Sequence, residues 1–167
     1  MNQNTTITIL GLGNLLIGDD GFGVRFITWF SDRYILPDRV SLVDGGTAGL
    51  GLLDTVTGAG HLIVIDIIRV DDTPGSLYRF TKEEMPLFLP APTSAHEVEF
   101  LDVLAMADLL DQCPPVTFIT VVPEKYDTME VRISDLLVER FSDIERLLLE
   151  ELAALSVKPV RRPECTN

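Results

Sequence analysis

Four stretches of this chain, residues 6–12, 40–44, 62–68 and 116–122, are almost unbroken runs of Ile, Val, Leu and Thr. A strand with one face in water alternates apolar and polar residues. A continuous apolar run is instead buried on both faces, as in a parallel sheet covered by helices. Between these runs the period changes. Residues 21–34 carry Phe22, Phe26, Trp29 and Phe30 at helical spacing, residues 49–56 suit a short helix, and residues 98–110 carry Leu101, Leu104, Met106 and Leu109. Residues 134–155 are amphipathic throughout and predict one long helix, with Ser134 as its N-cap and Asp135 in its first turn. The order is therefore βαβαβ, an excursion over residues 71–93, then αβα. Within the excursion, residues 76–81 (S-L-Y-R-F-T) alternate, which predicts an added antiparallel edge strand. The fold class is α/β, with a mostly parallel sheet of about five strands. Residues 1–156 are expected to form one domain. Residues 157–167, with little apolar content, are expected to be a flexible tail, and deletion of residues 158–167 is expected to leave activity unaffected.

Length and composition narrow the function classes. A chain of 167 residues with 46% hydrophobic content suits a single packed core. The net charge of −13 argues against nucleic acid or an anionic membrane as partner. No apolar run approaches the ~20 residues of a membrane span, and no signal peptide is read. Cys113 and Cys165, without a C-x-x-C, support neither a disulfide framework nor a thiolate zinc site; reduced thiols and the missing signal fit the cytoplasm. Cys113 is expected to be a buried, inert thiol.

In a parallel α/β sheet, ligands sit outside the carboxyl ends of the strands. The first run ends in a glycine-rich turn, I-L-G-L-G-N-L-L-I-G-D-D-G-F-G, which supplies Asn14, Asp19 and Asp20 to that edge. The second run delivers Asp44, Gly45, Gly46 and Thr47, and the third carries Asp66 near its end. The loop before residue 98 returns Thr93, Ser94, His96 and Glu97, and the last strand is followed by Pro123 and Glu124. An ionised acid such as Asp66 inside an apolar strand costs several kcal/mol unless it is paired or binds a cation. It could equally cap a loop or pair with Arg69. One of Asp19 and Asp20 is expected to N-cap the following helix. His61 precedes the third strand and falls at the opposite edge, where a structural role is expected. Asp20, Asp66 and His96 together make an incomplete metal site with open positions. Other templates fit less well. A dinucleotide fingerprint beginning at Gly11 and Gly13 meets Leu16 where its third glycine belongs, although Asp44 imitates the ribose-binding acid. There is no P-loop and no G-x-S-x-G elbow, and Ser94 lacks a nucleophile turn for a triad with His96 and Asp66.

The run G-L-G-N-L-L-I-G-D-D-G-F-G-V, the D-G-G-T at 44–47, the V-I-D ending at Asp66, the P-G-S-L-Y-R-F at 74–80 and the S-A-H-E at 94–97 resemble the nickel–iron hydrogenase maturation endopeptidases over nearly the whole chain. The resemblance implies a three-layer α/β/α sandwich around a twisted, mostly parallel sheet. It also implies an activity: removal of a C-terminal extension from the hydrogenase large-subunit precursor after nickel insertion. The metal-contacting residues would be Asp20, Asp66 and His96, with Asp20 standing where some members carry glutamate. The segment Asp44, Gly45, Gly46, Thr47 would discriminate substrates. The nickel would come with the substrate, so the free enzyme would be metal-free or weakly metal-binding. It is expected to be a monomer meeting the precursor and hydrogenase accessory proteins. Two alternatives stay open: a non-catalytic, metal-dependent chaperone or scaffold for the same precursor, and a nucleotide-binding α/β protein.

Overall fold

The computed structural model describes residues 5–85 and 95–163, with side chains in the helix that starts at Ala95 described from Glu99 onward. Its elements run β1 (Ile7–Leu12), a 3-10 turn (Gly18–Gly21), α1 (Phe22–Arg33), β2 (Tyr34–Ile35), β3 (Val40–Gly46), a second 3-10 turn (Gly49–Leu52), α2 (Leu53–Thr57) and β4 (His61–Ile67). They continue with β5 (Leu77–Thr81), α3 (Ala95–Leu109), β6 (Val116–Val121), α4 (Asp135–Glu139), α5 (Phe141–Ala154) and β7 (Val160–Arg161). The main sheet has the order β3-β1-β4-β6-β5. The four apolar runs are its parallel strands, and the alternating segment is β5, antiparallel to β6 at the edge. The α/β class, the five strands and the single antiparallel edge are as the sequence predicts.

The period of two along each strand builds two cores. Ile7, Ile9, Ile63, Ile65, Ile119 and Val121 face α1, α4 and α5, where they meet Phe26, Phe30, Phe141, Ile144 and Leu148. Leu10, Leu62, Val64, Val116 and Phe118 face α2 and α3, where they meet Val56, Phe100, Val103 and Leu104. Helix α1 lies unusually close to the sheet. A Cβ on Gly23 would stand 2.1 Å from the Ile65 carbonyl oxygen and 2.5 Å from that of Leu12, so only glycine fits there.

Three local expectations are corrected. The helical pattern over residues 21–34 ends at Arg33, and Tyr34 starts β2 instead. The long pattern over residues 134–155 is two helices. Ser134 does cap the first, accepting from the Leu137 N–H, but the chain breaks at Arg140. Beyond the break, Phe141 stands edge-on to Phe22, Phe26 and Trp29, with ring centroids 5.3, 5.6 and 5.4 Å away. The third correction concerns the supposed tail, which is docked over residues 157–163. Ser156 takes φ 60°, the Val157 N–H returns to the Leu152 carbonyl (2.8 Å) and the Ser156 N–H to that of Ala153 (2.9 Å). This is a Schellman cap built on serine rather than glycine. It turns Val157 into the core at 4% exposure and sends β7 antiparallel onto β2. Nearby, Arg39 donates to the carbonyls of Thr5, Leu155 and Ser156.

A chain ending at Ser156 is therefore expected to lose roughly 2 kcal/mol of stability, the burial of one valine plus a short strand pair. Urea unfolding checks this, and an unchanged midpoint would mean that the docking contributes nothing.

Candidate active site

The order β3-β1-β4 means that the chain leaves β1 toward one side and later returns to β4 on the other. The carboxyl ends of β1 and β4 thus flank the crevice where such sheets bind ligands. At the end of β1, Gly13 takes φ 120° and donates to the Gly46 carbonyl (3.0 Å). A Cβ there would fall 1.7 Å from the Asp20 carbonyl oxygen, so this glycine lets the turn fold back on itself. The Asn14 side chain accepts from the Leu16 N–H (3.0 Å) and closes the turn.

The adjacent acids Asp19 and Asp20 are 0% and 2% exposed, and neither caps a helix. Successive residues of a 3-10 turn point about 120° apart, so the two carboxylates serve different neighbours. Asp19 faces the loop that follows β6. Its carboxylate accepts from the N–H groups of Glu124 (2.8 Å), Lys125 (2.8 Å) and Ser134 (2.6 Å) and from the Ser134 hydroxyl (3.1 Å). Asp20 accepts from the Asn14 N–H (2.9 Å) and pairs with the Arg69 guanidinium (3.3 Å), which lies 4.5 Å from the centre of the Tyr126 ring. Arg69, considered from sequence as a partner for Asp66, reaches Asp20.

Asp66 occupies an even position of β4, on the α3 side, opposite Thr120 of β6. It is 6% exposed, and its carboxylate accepts from the Ile67 N–H (2.8 Å). With Thr120 it lines a small cavity of about 30 Å³, otherwise apolar, walled by Ile68, Phe80, Phe100 and Phe118. The fold therefore brings Asp20 and Asp66 to one edge. His96 lies in the first turn of α3, and its side chain is outside the described residues, as is Ser94. One turn on, the Glu99 carboxylate lies against Gly49 in the loop after β3, so α3 starts beside the same edge. Among the described residues, no group of three or more His, Cys, Asp or Glu side chains is placed to hold a metal.

The segment Asp44, Gly45, Gly46, Thr47 ends β3 next to the glycine turn, with a bulge opposite Gly11 and Leu12; Asp44 and Thr47 are exposed. On the far side of Arg69 is an open cleft of about 530 Å³ lined by Asp72, Pro74, Val122, Glu124 and Tyr126. The Tyr78 hydroxyl, 2.5 Å from Asp72, and then the Thr73 N–H hold the Asp72 carboxyl below its usual range. His61 is at the opposite edge as expected, bonded to the Thr117 hydroxyl (3.2 Å); burial pushes its pKa down, against the smaller opposing pull of Glu151. Cys113 is half-buried beside Lys82, and burial pushes its thiol pKa up, which suits an unreactive side chain.

The sequence profile of a family described as hydrogenase maturation protease matches residues 24–151. This chain belongs to that family. Among its relatives is the hydrogenase expression/formation protein HupD of Thiocapsa roseopersicina, 35% identical over 99% of this chain and 76% of that protein. The HupD of Bradyrhizobium diazoefficiens is 43% identical over 68% of this chain, and the match spans 59% of that protein. Among solved structures, the hydrogenase maturating endopeptidase HybD of E. coli superposes with a TM-score of 0.88 at 30% identity, covering 94% of this chain and 98% of that one. In this maturation protease, then, the glycine-rich turn carries buried acids and not a phosphate cradle, and the dinucleotide reading is set aside.

Pattern reading missed Asp19. Its neighbours come from more than a hundred residues away, and a D-D pair before a helix looks like capping. Asp19→Ala would orphan four donors and is expected to cost about 2–4 kcal/mol. Limited proteolysis checks where the effect lands: new cuts should appear within residues 124–133, and an unaltered digest would show that the carboxylate does not hold the loop.

Proposed function

We propose that this hydrogenase maturation protease removes the C-terminal extension of a nickel-containing hydrogenase large-subunit precursor once the metal is in place, and that Asp20, Asp66 and His96 recognise the substrate's nickel. The observation carrying this reading is the delivery of two buried carboxylates, one from the turn after β1 and one from β4, to the switch-point edge of a fold shared with an endopeptidase. Carboxylate and imidazole donors suit a first-row transition metal, and three protein donors leave positions for the substrate's own ligands. The Asp20–Arg69 pair (3.3 Å) gives this carboxylate a cationic partner before substrate arrives; a metal cation would take over that role. Hydrolysis adds one water across the scissile peptide bond, its hydroxyl to the acyl carbon and its proton to the leaving amine. A nearby metal would polarise that water or the scissile carbonyl.

Among the described residues no helix is long and apolar enough to cross a membrane. We place the protein in the cytoplasm, as a monomer that meets precursor and accessory proteins there. Asp44, Gly45, Gly46 and Thr47, one strand from Asp20, are proposed to discriminate between precursors.

The test is intact mass of the large subunit after incubation with nickel-loaded and nickel-free precursor at equal concentration. Only the loaded form should be shortened, and serine- and cysteine-directed inhibitors should have no effect. Equal cleavage of nickel-free precursor would overturn metal recognition, and binding without cleavage would restore the scaffold reading. Asp20→Ala, Asp66→Ala and His96→Ala should each abolish processing with circular dichroism unchanged, and Asp66→Ala should unfold no earlier than the parent because it removes a buried acid. Full cleavage by any of the three would remove that residue from the site.

A further inference from the structure

Half of the large apolar side chains left exposed among the described residues are Leu15, Leu16, Leu50, Tyr126, Met129 and Val131, all in loops that follow β1, β3 and β6 at the carboxyl edge. Five of them form two adjoining loops. Ile17 bridges Glu130, the Gly18 N–H donates to the Glu130 carbonyl (2.7 Å), and the Asp19 N–H donates to that of Lys125 (2.8 Å). The Arg25 guanidinium also donates to the Val131 carbonyl. The loop after β6 is thus anchored on both sides of Tyr126 and Met129, yet Met129 is 86% exposed, Val131 61% and Leu16 57%. Neither core uses these side chains. Apolar residues presented to water on an anchored loop mark a contact surface, and Tyr and Met are among the residues enriched at protein interfaces.

The face is continuous with the candidate site. The Tyr126 ring lies under Arg69, and Arg69 is paired with Asp20. A folded substrate that brings its metal to Asp20 therefore comes to rest on this side chain and the loop beyond it. We propose that Leu15, Leu16, Tyr126, Met129 and Val131 form the docking face for the folded body of the precursor large subunit. The inference rests on the peptidase reading above and adds where the bulk of the substrate sits. Asp19 becomes the latch that fixes this face relative to Asp20.

The experiment compares steady-state processing of nickel-loaded precursor by the wild-type protein, by Met129→Asp/Val131→Asp, and by Leu109→Asp/Leu110→Asp. The last pair is exposed at the C-terminal end of α3 and serves as control. The loop variant should raise KM by about tenfold or more, as loss of a buried interface anchor does, with kcat within about twofold of wild type. Met129→Leu/Val131→Ile should retain the wild-type KM, and so should the control. An unchanged KM for Met129→Asp/Val131→Asp, with wild type active, would overturn the docking face and leave the peptidase reading standing. Failure of wild type to cut any loaded precursor would instead remove the peptidase reading. A wild-type dimer in sedimentation velocity that Met129→Asp/Val131→Asp dissolves would also overturn the proposal, because a second copy would then cover the face.

Discussion

The parallel pairing of β1 with β4 is the constraint on which the rest of this molecule depends. It places Leu12 and Ile67 at neighbouring strand ends, and so opens the crevice that receives Asp20 from one side and Asp66 from the other. Helix α1 can follow β1 so closely only because Gly23 lets it touch the Leu12 and Ile65 carbonyls. A larger residue there would lift α1, and with it the turn that carries Asp19 and Asp20.

The three buried acids at this edge differ in what surrounds them. Asp19 accepts only from the loop after β6, across more than a hundred residues of sequence, and its function is to fix one loop against another. Asp20 accepts from its own turn and from Arg69 at the mouth of the cleft. Asp66 sits within a strand, over a cavity that apart from Thr120 is lined by apolar side chains. Burial raises the energy of any carboxylate that is poorly matched. An acid matched by fixed backbone donors and a serine hydroxyl, as Asp19 is, is part of the scaffold, whereas one matched by a side-chain cation, as Asp20 is, can exchange that partner.

Much of this was legible in the chain because of how each feature is encoded. Strands β1, β4 and β6, buried on both faces, appear as unbroken apolar runs, and β5, with one face less covered, shows as alternation; β3 has the same apolar composition but, at the other edge of the sheet, buries only Val40 and Gly45, so two-sided burial is corrected there. Knowing that the strands are parallel then sends Asp20, Asp44 and Asp66 to a common edge without any knowledge of contacts. What escaped depends on geometry that composition does not record. The divergence of Asp19 from Asp20 follows from a 3-10 turn inside what looked like a helix start. The break at Arg140 leaves no mark in the amphipathic pattern, which runs on unbroken into Phe141 and its aromatic cluster. The docking of residues 157–163 depends on Ser156 taking a conformation normally signalled by glycine, so the usual helix-stop mark was missing.

Arg39 has a consequence for how the protein can be held. Its guanidinium gathers the Thr5 carbonyl and the carbonyls at the end of α5, and the β2–β7 ribbon carries the chain back to the far end of α1. Both ends of the fold are therefore drawn to the pole opposite the reactive edge. Thr5 and Arg162 thus stand at a pole that the substrate does not approach, so the described fold has a handle and a blade at opposite poles.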